Sequence, residues 1–232
     1  MDRESYEAFR DNVRRLALDH IEKHAADYDR QARFPEESLQ AFKQLSLVSL
    51  AFSEENGGQA GDVVSQAIVL EELARVCATT SLTLMVIWAG LVPISKHGSA
   101  RLREEVIRPA IGGDTVASIC LTEPDGGSNL FALKTKAEKV GDEWILNGRK
   151  RFISNATRSD WYTVLARTGE KTLALFAVNR EDPGITFGAR ESKMGIKGSP
   201  TADVILETCR IPEHRVVGEP DKGYQYITDS LT

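Results

Sequence analysis

Long apolar runs, paired cysteines and an excess of basic residues are all missing from this 232-residue chain, and each absence narrows what it can be. The most apolar stretch, Leu82 to Ile94, is shorter and more interrupted than the roughly 20 residues that a membrane-spanning helix needs. The three cysteines, Cys77, Cys120 and Cys209, are far apart in apolar surroundings and form no CxxC pair. That spacing predicts reduced, buried thiols, a cytoplasmic setting and no zinc site. A net charge of −5 argues against a nucleic-acid backbone as the main ligand, which needs a basic face. Met1-Asp2-Arg3-Glu4-Ser5 begins polar and acidic, so no signal peptide is expected, and the Asn155-Ala156-Thr157 sequon is expected to be idle. No GxGxxG, Walker A or Ser-His-Asp ordering is present.

What is present divides into two patterns. In residues 2 to about 112, Phe9, Val13, Leu16, Ala17 and Ile21 recur at helical spacing, and Leu39, Phe42, Leu45 and Leu47 follow a start at Pro35-Glu36-Glu37. Val63, Ile68, Val69, Leu73 and Val76 predict a third helix capped by Asp62. Leu82 to Ile94, apolar on nearly all sides, predicts a buried helix, and Ser99 to Ala110 a charged surface helix ended by Gly112-Gly113. From Val116 onward the segments are short and alternating: Trp161 to Ala166, Thr172 to Val178, Ile185 to Gly188 and Ala202 to Leu206, separated by Gly, Pro, Asn and Asp. No ten-residue helix fits between 116 and 217, which predicts an antiparallel barrel or sandwich. The reading is therefore α+β: an all-α unit over 1–114, an antiparallel β unit over 115–220, and the first turns of another helix over 221–232.

Between Ile119 and Asn155 lies the stretch with most chemistry. Ile119-Cys120-Leu121 is strand-like, then Thr122-Glu123-Pro124-Asp125-Gly126-Gly127-Ser128-Asn129 breaks the pattern. Pro124 fixes φ and lacks an amide donor, while the glycines admit positive φ and close approach of a ligand. Such a loop can aim several amides and the Thr122 and Ser128 hydroxyls at one object, as phosphate-binding nests do. It is equally what an ordinary turn looks like. Thr135 to Val140 and Glu143 to Ile145 alternate and are joined by Gly141-Asp142, and Asn147-Gly148 then predicts a tight primed turn leading into the return strand Arg149-Lys150-Arg151-Phe152-Ile153-Ser154-Asn155. Arg149, Lys150 and Arg151 read either as a phosphate site or as a solvated strand edge.

TEPDGGS, an NG dipeptide and FISN, in that order, resemble the flavin-binding region of the acyl-CoA dehydrogenase family, which reads TEPxAGSD and K-x-W-I-T-N. Lys193 to Thr201 is similar to the family's KMGxRxSxT, and Arg210 to Gly218 to its V-P-x-x-N-x-L-G, so the resemblance spans essentially the whole chain. It implies FAD as cofactor, with Ile119, Leu121, Thr122, Gly127 and Ser128 contacting it through amides and hydroxyls. Phe152, Ile153 and Ser154 would lie along the isoalloxazine, and Ser128 would also approach the CoA pyrophosphate of an acyl-CoA substrate. Phe152 stands where the family usually has Trp, Ser154 where it has Thr, and Asn129 where it has Asp.

The resemblance further implies α,β-dehydrogenation of an acyl-CoA thioester, with an electron-transfer flavoprotein as acceptor and a homo-oligomeric assembly. Acyl-CoA oxidase or flavin monooxygenase chemistry on the same fold, and a non-catalytic or shortened subunit needing a partner, are the alternatives. The family's catalytic Glu matches no residue here and is expected beyond Thr232. Glu123 reads as a loop stabiliser rather than that base, and His97 and His214 as surface or capping residues.

Overall fold

Apolar spacing and helix caps account for the first half of the chain in the computed structural model, which describes residues 2–231; Met1 and Thr232, and with Thr232 the site expected for the base, lie outside the described residues. Helix α1 (Arg3–Ala17) starts where the Asp2 carboxylate accepts the Ser5 amide at 2.8 Å. It runs through a π-helical turn, Leu18–Glu22, into α2 (Lys23–Arg30). Helix α3 (Glu36–Gln44) follows Pro35 and carries two acids in its first turn, where the helix dipole favours them. Helix α4 (Val63–Val76) is capped by Asp62, as its sequence predicts.

Helix α5 (Ala78–His97) is longer than the apolar run that announces it. By length and composition it could cross a membrane, yet most of it is buried against its own neighbours. Helices α6 (Ala100–Leu102) and α7 (Arg108–Ile111), joined by a π-helical turn, were expected as a charged surface helix. Their inner side buries Leu102, Val106, Ile107 and Ala110, so the segment is amphipathic and serves the core.

The second half is one mainly antiparallel sheet. Its strands are β1 (Ala117–Cys120), β2 (Lys136–Val140), β3 (Glu143–Ile153), β4 (Trp161–Arg167), β5 (Leu173–Asn179), β6 (Ile185–Phe187), β7 (Ala202–Pro212) and β8 (Val216–Val217). They are ordered β6-β7-β3-β2-β4-β5-β8, with β1 also on β4. Two pairings, β1 with β4 and β2 with β4, are parallel. No described pairing joins β6 to β8, so the sheet stays open rather than closing as a barrel. Helix α8 (Gly223–Leu231) packs back on α5 and β5.

The Asn147-Gly148 expectation is overturned. Gly141-Asp142 joins β2 and β3 as expected, with Gly141 at φ +62°, but Asn147 and Gly148 form no second turn and lie inside β3 at a register shift against β7. Glycine is required there by close approach, since a Cβ on Gly148 would sit 2.6 Å from the Thr135 Cα. Asn147 instead accepts the Thr208 amide at 2.7 Å.

One apolar core runs from the helices into the sheet, joining Leu84, Ile87 and Leu91 to Trp161, Leu165, Leu175 and Ala177. The opposite face of the sheet buries Trp144, Leu146, Tyr162, Val164, Phe176 and Val204. Strands β4 and β5 are thus covered on both sides, which explains their continuous rather than alternating hydrophobicity. Cys77, Cys120 and Cys209 are all buried and unbridged, as expected.

Candidate cofactor site

Where α5 meets the C-terminal end of β1 and the end of β3, a groove of about 190 Å³ opens to the surface. It is lined by Val86, Ile119, Leu121, Thr122, Phe152, Ile153 and Ser154. Six residues singled out from the sequence therefore meet in one place, although the two strips that carry them are about thirty positions apart. Val86 is the addition, one residue within an apolar helix that offers no sequence signal to distinguish it from plain core. Gly127 and Ser128 do not line the groove; they stand exposed on the adjoining loop.

Individual hydrogen bonds, rather than a strand ladder, bring the strips together. The Arg151 amide donates to the Thr122 carbonyl at 2.8 Å, and Ser118 of β1 donates to the Ser154 carbonyl at 2.7 Å. Ser118 also shares a hydrogen bond of 2.7 Å with the buried Ser159 hydroxyl. Tyr162 reaches the Ser159 carbonyl at 2.8 Å, tying down the turn after Asn155. On the helix side, Thr163 of β4 donates to the Gly90 carbonyl at 2.6 Å, which fixes α5 one turn beyond Val86.

The groove's floor is held in an unusual backbone. Phe152 adopts a left-handed conformation, φ 57°, within the register shift between Lys150 and Ile153 of the β3–β7 pairing, and Asn155 does so, φ 59°, just after β3 ends. For a phenylalanine that conformation costs about 1–2 kcal/mol, and strain of this sort concentrates at functional sites. Its result is a ring left 54% exposed at the groove, with the Arg151 guanidinium 4.7 Å from its centroid.

Donors remain free around this floor. Among the described residues nothing pairs with the hydroxyls of Thr122, Ser128 or Ser154, or with the Gly127 and Ser128 amides. The loop itself is a tight turn, with Glu123 and Gly126 exchanging both backbone hydrogen bonds at 2.8 and 3.2 Å. Gly127 is not at positive φ, contrary to the expectation from its type; a Cβ there would meet only the Thr122 Cγ2 at 3.8 Å. Gly127 leaves open space beside the loop rather than relieving strain.

Glu123 is a structural carboxylate. It is buried, accepts the Lys134 amide at 2.6 Å and the Thr135 amide at 3.1 Å, and pairs with the Lys150 ammonium at 2.8 Å. Burial works to raise its pKa, but the Lys150 charge and these hydrogen bonds outweigh that and hold the carboxyl below its ordinary value. Lys150 is fully buried, and burial presses its pKa down against the attraction of Glu123. Neither the phosphate-site nor the solvated-edge reading holds for Lys150, which faces inward; Arg149 is exposed and paired with Asp203.

His97 and His214, expected as surface or capping residues, are half-buried and partnered. His214 pairs with Glu105 at 3.0 Å, and His97 stacks on Tyr226 with ring centroids 4.1 Å apart.

Comparison with known proteins agrees with the geometry. Residues 3–114 match the N-terminal domain of acyl-CoA dehydrogenases and residues 118–209 the middle domain. The chain is 41% identical to a Mycobacterium tuberculosis protein described as "Probable acyl-CoA dehydrogenase FadE25", over 98% of this chain and 60% of that protein. Among solved structures, glutaryl-coenzyme A dehydrogenase in complex with glutaryl-CoA superposes with a TM-score of 0.92 at 29% identity, covering 100% of this chain and 60% of that one. An acyl-CoA dehydrogenase complexed with FAD from Bacillus anthracis gives 0.91 at 26% identity, covering 100% and 40%. The chain spans about 60% of the length of the mycobacterial relatives it matches. With two matched domains over nearly all of its residues, this chain belongs to the acyl-CoA dehydrogenase family.

Proposed function

We propose that the groove holds the isoalloxazine of FAD and that the protein carrying this chain dehydrogenates an acyl-CoA thioester between its α and β carbons. The observation that carries the reading is the meeting of Ile119, Leu121, Thr122, Phe152, Ile153 and Ser154 around one open groove. Unpaired hydroxyls sit at its rim and an apolar wall lies behind it, the combination that a flat, partly polar ring system requires. The chemistry FAD supplies when bound is acceptance of the β-hydrogen as hydride.

This chain's own part is binding and orientation. Phe152 and Ile153 offer the ring face, and Ser154 and Thr122 offer hydroxyls to its heteroatoms. The free Gly127 and Ser128 amides would donate to an anionic phosphate chain, which gains most from unpaired N–H groups. Ser128 is also the residue proposed to meet the CoA pyrophosphate. The groove lining carries no ionisable side chain, so the base that removes the α-proton is proposed to come from outside the described residues. An electron-transfer flavoprotein as acceptor and a homo-oligomeric assembly complete the proposal.

The test is flavin titration of the apo-protein with Gly127→Val and Ser154→Ala beside the wild type. Open space at Gly127 lets valine fold, so retention of FAD by that variant at full stoichiometry would remove the loop from the site. Anaerobic reduction by an acyl-CoA followed by air separates the oxidase alternative, because fast reoxidation belongs to an oxidase and slow reoxidation to a dehydrogenase.

A further inference from the structure

We propose that Lys150 and Glu123 are positioning residues for the bound flavin, a buried ion pair that sets the relation between the two strips of the groove and the aim of the loop amides. The inference rests on the flavin reading above and names the device that would orient the site.

The Lys150 ammonium has two acceptors, the Glu123 carboxylate at 2.8 Å and the Leu121 carbonyl at 3.2 Å. Its backbone neighbour Arg151 donates to the Thr122 carbonyl at 2.8 Å. Strand β3 is therefore stitched to Leu121 and Thr122 immediately before it delivers Phe152, Ile153 and Ser154 to the same groove. Glu123 reaches the other way, to the amides of Lys134 and Thr135 at 2.6 and 3.1 Å. Both ends of the loop that carries Gly127 and Ser128 thus close on one carboxylate.

An ion pair stripped of water contributes little net stability compared with apolar packing of the same volume. Here neither side chain is appreciably exposed, at 0% for Lys150 and 3% for Glu123. What the charges do supply is direction, since the hydrogen bonds to Leu121, Glu123, Lys134 and Thr135 are made together only with the loop in this one placement. No group of the pair lines the groove, so any effect on the flavin passes through Leu121, Thr122 and the loop.

The experiment uses the natural full-length protein with Lys150→Met, Glu123→Gln and the double variant Lys150→Met/Glu123→Leu. Three quantities are read: thermal stability, FAD dissociation constant with the visible flavin spectrum, and hydrogen exchange of the 122–130 amides in the apo-protein. Lys150→Met leaves a buried carboxylate unpaired and lowers the melting temperature. The double variant recovers much of that stability, yet its loop amides exchange faster than wild type and it binds FAD at least about tenfold more weakly, the scale on which supporting residues act on a bound group.

Recovery of wild-type FAD affinity together with stability in the double variant overturns the proposal, because the pair is then only packing. If Lys150→Met does not fold, Glu123→Gln, which keeps the shape and the acceptor oxygen, still decides: an unchanged flavin spectrum and unchanged loop exchange overturn it. If the wild type binds no FAD, the flavin reading falls by itself, and the exchange measurement alone decides whether the pair orders the loop.

Discussion

Gly90 of α5 lies so close to Ser118 of β1 that a Cβ at position 90 would sit 2.8 Å from the Ser118 carbonyl carbon. The contact brings the helix against the strand, and the hydrogen bond from Thr163 to the Gly90 carbonyl secures it. Val86 and Ile119, which both line the groove, lie one helical turn from Gly90 and one residue from Ser118, so the spacing at Gly90 bears directly on the site.

Gly90→Ala is therefore expected to destabilise the protein by about 1–3 kcal/mol, the range for forcing an extra carbon into a packed core. The neighbouring atoms are backbone and cannot rotate away. Gly195→Ala is the control, since nothing lies within 4 Å of its added Cβ, and a change within about 0.5 kcal/mol is expected there. Urea melts of the two variants check both statements, and equal midpoints would refute the close-packing argument.

Phe152 illustrates the opposite balance. Replacing it with glycine relieves the left-handed strain, about 1–2 kcal/mol, and loses a half-exposed ring with its Arg151 contact, about 0.5–1 kcal/mol. Phe152→Gly is expected to fold at least as stably as the wild type while retaining much less FAD. Lower stability with normal flavin content would mean that the ring serves the fold and not the groove.

How much of this was legible beforehand depends on what fixed each feature. The helix starts at Asp62 and Glu36 and the position of the groove strips were readable because they follow from local spacing, caps and an ordered set of motifs. Asn147-Gly148 misled because glycine serves both tight turns and close approaches, and only the fold shows that Thr135 presses against it. That one misreading hid Lys150. Once β3 is taken as continuous, Trp144, Leu146 and Lys150 fall on the same inward parity, and the buried cation follows from period-two alternation. Val86 was not legible at all, since helical periodicity says which residues are buried but not which of them meets a groove formed by distant strands.

His97 gives a pH test. Its ring stacks on Tyr226 of α8, Nε2 is buried with no hydrogen-bond partner among the described residues, and Lys96 and Asp229 are the nearby charges. Burial lowers its pKa below the ordinary 6.5, with Asp229 opposing and Lys96 reinforcing the shift. A group whose folded pKa is depressed contributes stability that is full above the unfolded value. That contribution is lost as the pH falls through the folded one. The melting temperature should therefore fall as the pH drops below 6.5, and His97→Phe, which keeps the stack, should remove that part of the slope. An identical slope in the variant would assign it to the carboxylates instead.

The last prediction concerns proton removal. Abstraction of an α-proton needs a base within hydrogen-bonding reach, and general-base assistance is worth roughly 10²–10⁴ in rate. None of the residues lining the groove is ionisable, and the nearby carboxylate, Glu123, is enclosed beneath the loop with Lys150, Lys134 and Thr135 on its oxygens. Residues 1–232 expressed alone and loaded with FAD are accordingly expected to stay yellow in the presence of an acyl-CoA and to reduce an artificial dye at background rates. A full-length relative run in parallel supplies the reference rate. Bleaching of the flavin by acyl-CoA at a comparable rate would show that a base does lie within these residues. Glu123→Gln would then separate the two explanations. Loss of bleaching with FAD still bound would make Glu123 the base, and persistence would point to a carboxylate that reaches the groove only when substrate is present.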